Sequence, residues 1–520
     1  MKDKVELALN AAGRMVPAMV NGRPQIPYIG VGKYQPRGRK AAAPVRTAAN
    51  YPENGDKRVA DLETALRKCG LRDGMVLSSH HHLRDGDRVA LLALQAAARM
   101  GVKDLMWFPS ASFPSQKSAI DLMEGGHIHH IEGSMNGPLG DYCTQGKMRG
   151  MGVLRSHGGR WQAIQDGEVH IDIAIIAAPT ADFFGNADGS HGKSACGSLG
   201  FALADSTYAD HVIVVTDNLV PFPCIPWQIQ GNNVDYVVEV DSIGDPSKIV
   251  SGTTQITRSP DRLRIAYLVA QLLREAGIMR NGFSFQAGAG GIALAFVAYL
   301  KEMMKEAGVK ARFVRGGSTK YLVDLLQEGL TDYILDGQTF DLDGVKSIGS
   351  DPRHIATSPF TSYNYHGKGN FASLVDAVVL GATEVDVNFN ANVVTHSDGR
   401  LLHGIGGWQN CLASGCTILA VPSFRDRIPV IVDEVTTLTG PGELIDVVAT
   451  ERGIAINPRR QDLRDALKGS KLPIRPIQDI KAEVEKICGG KPSRPKPGER
   501  PVAIVKWVDG TVLDTVWQVV

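Results

Sequence analysis

The run His170–Pro179, "HIDIAIIAAP", and its counterpart His211–Asp217, "HVIVVTD", decide the fold. Each is an unbroken apolar stretch closed by polar turns. A strand with one face in water would alternate apolar and polar side chains. An unbroken run fits a strand covered on both faces, as in a parallel sheet flanked by helices. The neighbouring sequence supplies those helices. Residues 58–70, "RVADLETALRKCG", and 87–101, "DRVALLALQAAARMG", have helical spacing and end at glycine. Between and after them, "GMVLSS" (74–79) and "DLMWFPSA" (104–111) read as short buried strands.

The same grammar restarts near residue 281. "FSFQAGAGG" (283–291) predicts a strand running into a glycine loop, followed by a helix over 292–308. Further strands are predicted in "ARFVRGG", "LVDAVVLGATEVDVNF", "CTILAVPS", "IPVIVDEVT" and "IDVVATERGIAI". The prediction is an α/β chain of two tandem units, residues 56–278 and 279–487, each with a mostly parallel sheet. Residues 1–55 read as an extended basic arm, with nine basic and two acidic side chains in the first 50. A solvated tail is the favoured reading of such a run. Residues 488–520 read as a Pro/Lys linker and a β-hairpin turning at Asp509-Gly510.

Composition narrows the function classes. A chain of 520 residues exceeds one domain, and 43% hydrophobic with 21% charged residues is ordinary for a soluble globular protein. Net charge of +1 gives no global field for nucleic acid or a membrane surface. No apolar run approaches the roughly 18 residues of a spanning helix, and Glu6 and Asn10 interrupt any leader-like core. The seven scattered cysteines, with Cys411 and Cys416 the nearest pair, complete no zinc pattern. The expectation is a cytoplasmic protein with reduced thiols and no metal.

Ligands of open α/β sheets bind beyond the carboxyl ends of the strands. Three unusual loops fall there: "SSHHHLRDGD" (78–87), "FQAGAGG" (285–291) and "LLHGIGGWQN" (401–410). Glycine lets backbone N–H groups approach an anion or a developing oxyanion. Neither glycine loop has dinucleotide or Walker spacing.

Several segments resemble the CoA-transferases, among them "DIAIIAAPTADFFGNADG" (172–189) and "IDVVATERGIA" (445–455). Three others are similar to one branch of that superfamily, the citrate lyase alpha chains. They are "SHHHLRDGD", the long stretch 360–400 from "FTSYNYHGKGN" to "THSDGR", and "TLTGPGELIDVVATERGIAINPRR" (437–460). The resemblance implies two CoA-transferase-like domains and a transferase that exchanges acetate for citrate on a thioester. That thioester would sit on a phosphoribosyl-dephospho-CoA group of an acyl carrier protein (gamma) subunit, with acetyl-CoA as a surrogate donor. A citryl lyase (beta) subunit would complete an oligomeric complex, and this chain itself would hold no tight cofactor.

That chemistry assigns Gly404, Gly406 and Gly407 to the oxyanion and thioester loop, and Gly288, Gly290 and Gly291 to the same cleft. Citrate needs charge-assisted donors, for which His366, Lys368 and Arg425 are candidates; Arg427 is as readily a solvated charge. His81 is a candidate ligand contact from the histidine run. Adjacent histidines point different ways and cannot share one ion, so the run reads either as a ligand-facing loop or as one braced by backbone. In the hydrolase branch a nucleophilic glutamate follows the strand after the first glycine loop. Here Gly316, Gly317 and Ser318 stand there, and Glu328 comes too late. Direct attack by citrate in a ternary complex is therefore expected. The rival readings are a free-standing acetyl-CoA hydrolase or CoA-transferase, a citramalate lyase alpha subunit, and a non-enzymatic scaffold.

Overall fold

Ile173–Ala178 becomes the central strand of an all-parallel sheet, buried along its whole length. In this computed structural model, which describes residues 5–36, 47, 51–250, 254–363, 369–494, 496 and 498–519, the sheet runs in the order Arg58–Val59, Tyr236–Glu239, His211–Thr216, Ile173–Ala178, Val76–Ser79, Leu105–Pro109, Ile128–Ile131. Ile173 pairs with His211 on one side and with Leu77 on the other. The second sheet runs His354–Ala356, Ile334–Thr339, Phe313–Ser318, Ser284–Ala287, Ala377–Leu380, Thr417–Ala420, Val447–Thr450, Gly453–Ile456. Only its last pairing is antiparallel. The expected α/β architecture of two parallel-sheet units is what the chain adopts. Among the described residues, no helix is long and apolar enough to cross a membrane.

Local chemistry sets the helix ends. Asp61 accepts from Thr64 N at 2.7 Å to start Leu62–Lys68, and Gly308, at φ +62°, stops Gly291–Ala307. The first helix buries Leu62, Ala65 and Leu66, the spacing of one apolar stripe.

The two units are built to one plan. An aspartate just before a strand accepts from the first residues of the neighbouring strand: Asp172 from Val76 N and Asp235 from Val212 N in the first unit, Asp376 from Ser284 N and Asp446 from Thr417 N in the second. Beyond the central strand each chain makes the same turn. Asp182 accepts from Asn186 N and Asn186 Nδ2, and Asn186 Oδ1 accepts from Gly231 N. Asp386 does this with Asn390, whose Oδ1 accepts from Gly442 N. These shared anchors put Val76 and Ser284 at one register, so Ser78 matches Gln286 and His80–His82 match Gly288–Gly290.

The terminal segments close on one another. Pro501–Lys506 and Val512–Trp517 form the expected hairpin, with Gly510 at φ +91°. The first hairpin strand also pairs with Gly152–Leu154 of the first unit. Residues 5–28, read as a solvated arm, instead fold onto this hairpin. Asn10 Nδ2 donates to Val512 O and Leu513 O at 3.0 and 2.8 Å, and Val16, Val20, Val153, Ile504 and Val512 share a buried cluster. The apolar residues between the basic ones outweigh the charge pattern. Apart from Thr47, the basic stretch 37–50 lies outside the described residues.

Candidate active site

The carboxyl ends of the two sheets face each other. His81 leaves the end of Val76–Ser79, and its Nε2 lies 3.2 Å from Gln338 Oε1 in the Ile334–Thr339 strand of the other unit. Gly404 N donates to Ser134 Oγ (2.8 Å), His157 N to Gly406 O (2.8 Å) and Gly158 N to Asn410 Oδ1 (3.0 Å). All three contacts cross between units. The histidine run and the loop 404–407, some 320 positions apart in sequence, thus stand on two walls of one cleft.

The three histidines are held in three different ways. Asp205 receives both arms of Arg160, at 2.6 and 2.7 Å. His80 Nε2 stands 3.2 Å from the same carboxylate, too far off line to be one of its hydrogen bonds. His81 Nδ1 meets Ser110 Oγ at 2.6 Å, and its ring stacks 4.8 Å from Phe201 and 5.6 Å from His157. His82 stacks on His80 and Phe201, and among the described residues neither ring nitrogen has a hydrogen-bond partner. Burial lowers the pKa of His80 against the pull of Asp205, and pushes His81 and His82 well below the ordinary range. Burial also takes His157 down to about 3. Burial alone would raise the Asp205 carboxyl, but Arg160 and His80 hold it below the usual carboxylate range. This wall carries neutral imidazoles and an internally compensated ion pair.

The glycines of the opposite wall differ in role. A first side-chain carbon on Gly404 would fall 2.7 Å from Ser134 Cα, and its N–H is already given to Ser134. Gly406 has φ +61°, and the same carbon there would meet only His157 Nε2, at 3.8 Å. On Gly407 it would lie 2.8 Å from the Tyr363 hydroxyl. Among the described residues, the N–H groups of Gly406 and Gly407 have no acceptor. Of the three glycines expected to supply donors, two keep them available. In the other loop Gly288 N is bonded to Val379 O and Gly291 O accepts from Thr257 N, while Gly290 faces open space at the head of its helix.

Arg425, expected to meet a carboxylate, is committed to backbone carbonyls of its own unit. Its guanidinium donates to Thr383 O and Ala382 O, both at 2.8 Å. Arg427 adopts φ +65° in the adjoining turn. His366 and Lys368 lie outside the described residues.

Patterning does not single out the residues that floor the cleft. Gln286 Nε2 donates to Cys411 Sγ (2.9 Å), and the Tyr363 hydroxyl lies 3.7 Å from the same sulfur. Burial, followed by Cys411, pushes the Tyr363 phenol up to about 12 while Arg315 opposes it. Arg315 pairs in register with Gln286 and is 1% exposed. Its guanidinium sits 4.8 Å from the Tyr363 ring centre, and among the described residues none of its three nitrogens has a hydrogen-bond partner. The available signal was a polar residue at matching positions of two apolar strands, "FSFQA" and "RFVRGG".

No carboxylate stands at the end of Phe313–Ser318, where the resemblance to the hydrolase branch leads one to expect a glutamate. Phe313–Ser318 carries an irregularity at Gly316/Gly317, where Gly316 has φ +111° against the Gln286 side chain and Gly317 is covered by Phe340. Ser318 Oγ donates to buried Asp336. Glu328 is tied to Lys301 and Lys305 at 2.8 and 2.6 Å. Glu384 is buried and accepts from Asn392 Nδ2 and Thr436 N.

Comparison with known proteins identifies the family. The family model "Citrate lyase, alpha subunit (CitF)" matches residues 55–519. The citrate lyase alpha chain of Klebsiella pneumoniae is 38% identical over 475 residues, covering 91% of this chain and 93% of that one. A crystal structure of the citrate lyase alpha subunit of Streptococcus mutans in complex with citrate superposes with a TM-score of 0.93 at 37% identity, covering 98% and 100% of the two chains. A 4-hydroxybutyrate CoA-transferase from Porphyromonas gingivalis shares the fold at 16% identity, with a TM-score of 0.52 over 83% of this chain and 98% of that one. With two CoA-transferase-like units meeting at their strand ends and a family match across nearly all of its length, the chain belongs to the citrate lyase alpha subunit family.

Proposed function

We propose that this chain exchanges acetate for citrate on a carrier-bound thioester, within a ternary complex and without a covalent glutamyl intermediate. The carrier is an acyl carrier protein subunit bearing phosphoribosyl-dephospho-CoA, and a lyase subunit consumes the citryl product. A citrate carboxylate oxygen attacks the acetyl carbonyl carbon, and the C–S bond breaks to release the thiolate. The thiolate then attacks the citryl carbonyl of the mixed anhydride, acetate leaves, and a C–S bond is restored. The exchange is neutral in protons and electrons. Each attack builds negative charge on a carbonyl oxygen, and the free N–H groups of Gly406 and Gly407 are placed to receive it. Neutral His81 and His157 with Phe201 give that cleft a weakly polar wall, which strengthens such hydrogen bonds.

The observation that carries this reading is the end of Phe313–Ser318, where Gly316 against Gln286 and Gly317 under Phe340 stand with no carboxylate. Glu328 is held by surface lysines and Glu384 by its own turn, so neither offers a free nucleophile. With no covalent step, acceleration comes from orientation, which can supply roughly 7–11 kcal/mol. Initial-rate lines with acetyl-CoA and citrate should intersect. Incubation with acetyl thioester alone, then hydroxylamine, should leave activity intact; parallel lines and a trapped glutamate would refute the scheme.

A further inference from the structure

We propose that Arg315 is the anchor for one carboxylate of the acceptor acid, taken up between its guanidinium and the Gln286–Tyr363–Cys411 group. The identity of the acid rests on the transfer reading above; the anion site rests on the geometry alone.

Three observations converge. First, Arg315 is fully buried, and among the described residues Nε, Nη1 and Nη2 have no hydrogen-bond partner. Of the other buried arginines, Arg155 is bound to Glu132 and Glu168, Arg160 to Asp205, and Arg84 donates to Ile249 O and lies over the Phe340 ring. A guanidinium removed from water without an anion is strongly unfavourable, so such a group is retained for what it binds. Second, the common plan of the two units places Phe108 where the second unit has Arg315, since Ser78 pairs with Phe108 as Gln286 pairs with Arg315. The scaffold accepts an apolar ring at this point and does not require the cation. Third, Tyr363 joins the two parts of the cleft. Its ring lies on Arg315, and its hydroxyl sits against Gly407 beside the free N–H groups. With the guanidinium 4.8 Å from the ring centre and its N–H groups without acceptors among the described residues, those N–H groups remain for the two oxygens of a carboxylate. The neutral amide of Gln286 and the phenol add donors without a second charge, which suits a carboxylate better than a doubly charged phosphate.

The test uses the full chain carrying Arg315→Met or Arg315→Gln. Two quantities are read: the citrate-dependent rise in Tm, and the KM values for citrate and acetyl-CoA. The citrate-dependent rise should disappear, and KM for citrate should increase roughly 10–100-fold, the worth of charge-assisted hydrogen bonds. KM for acetyl-CoA should stay within a few-fold. The ligand-free Tm of Arg315→Met should equal or exceed that of the wild type, because an uncompensated buried charge is removed. An unchanged citrate response in either variant overturns the proposal. So does a lowered ligand-free Tm, or failure of both variants to fold, since either makes Arg315 structural. A wild-type chain stabilised by succinate through Arg315, yet inactive in transfer to citrate, would refute the transfer reading and keep the anion site. A wild-type chain stabilised by no carboxylate would end both.

Discussion

The two units share a frame and differ at the strand ends. Asp182–Asn186 and Asp386–Asn390 make the same turn, and four pre-strand aspartates make the same backbone contact. Where the first unit places His80–His82, the second has Gly288–Gly290; where the first has Phe108, the second has Arg315. In the first unit Arg160 lies 4.2 Å from the Phe108 ring and is answered by Asp205. In the second, Arg315 lies on Tyr363 and is unanswered. The lesson is a division of labour. One wall of the cleft satisfies its charges internally and presents neutral rings, and the other keeps donors free.

The shared turn gives the largest expected effect. Asp182 accepts from five donors, the N–H groups of Phe184, Gly185, Asn186 and Cys224 and the Asn186 amide. Asp386 accepts from Asn388 N, Asn390 N and the Asn390 amide at 2.9–3.0 Å. Each donor left unsatisfied in a buried turn costs about 1–3 kcal/mol, with partial relief by relaxation. Asp182→Ala should therefore destabilise by about 3–5 kcal/mol and Asp386→Ala by clearly less, measured as midpoints of urea unfolding. Equal losses would show that the additional donors of Asp182, Gly185 N and Cys224 N, carry no weight.

Contact between the walls comes next. Gly404→Ala forces a carbon against the backbone of Ser134, an overpacking of about 1–3 kcal/mol. It should also drop kcat, because a small displacement of the loop spoils alignment. Gly406→Ala meets open space and only the left-handed backbone penalty of about 1–2 kcal/mol, so the two variants should separate. Full transfer activity in Gly404→Ala would show that the loop need not be held by the first unit.

Much of this frame was legible in the sequence. Unbroken runs such as Ile173–Ala178 marked strands covered on both faces, and the strand-end rule pointed to the loops that form the cleft. The duplication was visible only as similar grammar, because the matching residues are single aspartates and asparagines spaced along otherwise different strands. The partners of the histidine run were hidden for another reason. His81 meets Gln338 across 257 positions, a contact set by how two sheets oppose and by nothing local. One charge in an apolar strand, such as Arg315, signals a site only once its surroundings are known to hold no anion. The solvated reading of residues 5–28 failed because alternating Val16 and Val20 count for more than nearby basic residues.

The neutral wall makes a pH prediction. Burial depresses the pKa of His82 from its ordinary 6.5. A base with a depressed folded pKa contributes stability above the unfolded value and loses it as pH falls below that value, because the unfolded chain takes up the proton first. At pH 5.5 the loss for one such ring is about 1.4 kcal/mol relative to neutral pH. His82 gives no hydrogen bond and stacks on His80 and Phe201, so His82→Phe should keep the packing. Its stability at pH 7.5 should be unchanged or higher, and its loss between pH 7.5 and 5.5 should shrink by that amount. An identical pH dependence in wild type and variant would place His82 among the charged groups.

The smallest effect is expected at Arg425, and it separates an arginine that builds the second unit from one that binds its ligand. Read from sequence, Arg425 at a strand end is a fork for a citrate carboxylate. In the fold both arms of that fork end on the carbonyls of Thr383 and Ala382, just before the turn that carries Asp386. Burial lowers its pKa, as for a group drawn in from water, but two carbonyl acceptors satisfy the donors that would otherwise meet an anion. Arg425→Lys replaces a planar fork by a point charge that can keep one of these contacts. Losing one such hydrogen bond costs about 0.5–1.5 kcal/mol, visible as a small fall in Tm. KM for citrate should remain within about two-fold of wild type, against the 10–100-fold expected at Arg315. A rise in the citrate KM of Arg425→Lys without a fall in Tm would move the carboxylate contact to the outer turn and reverse the contrast between a committed and an unanswered arginine.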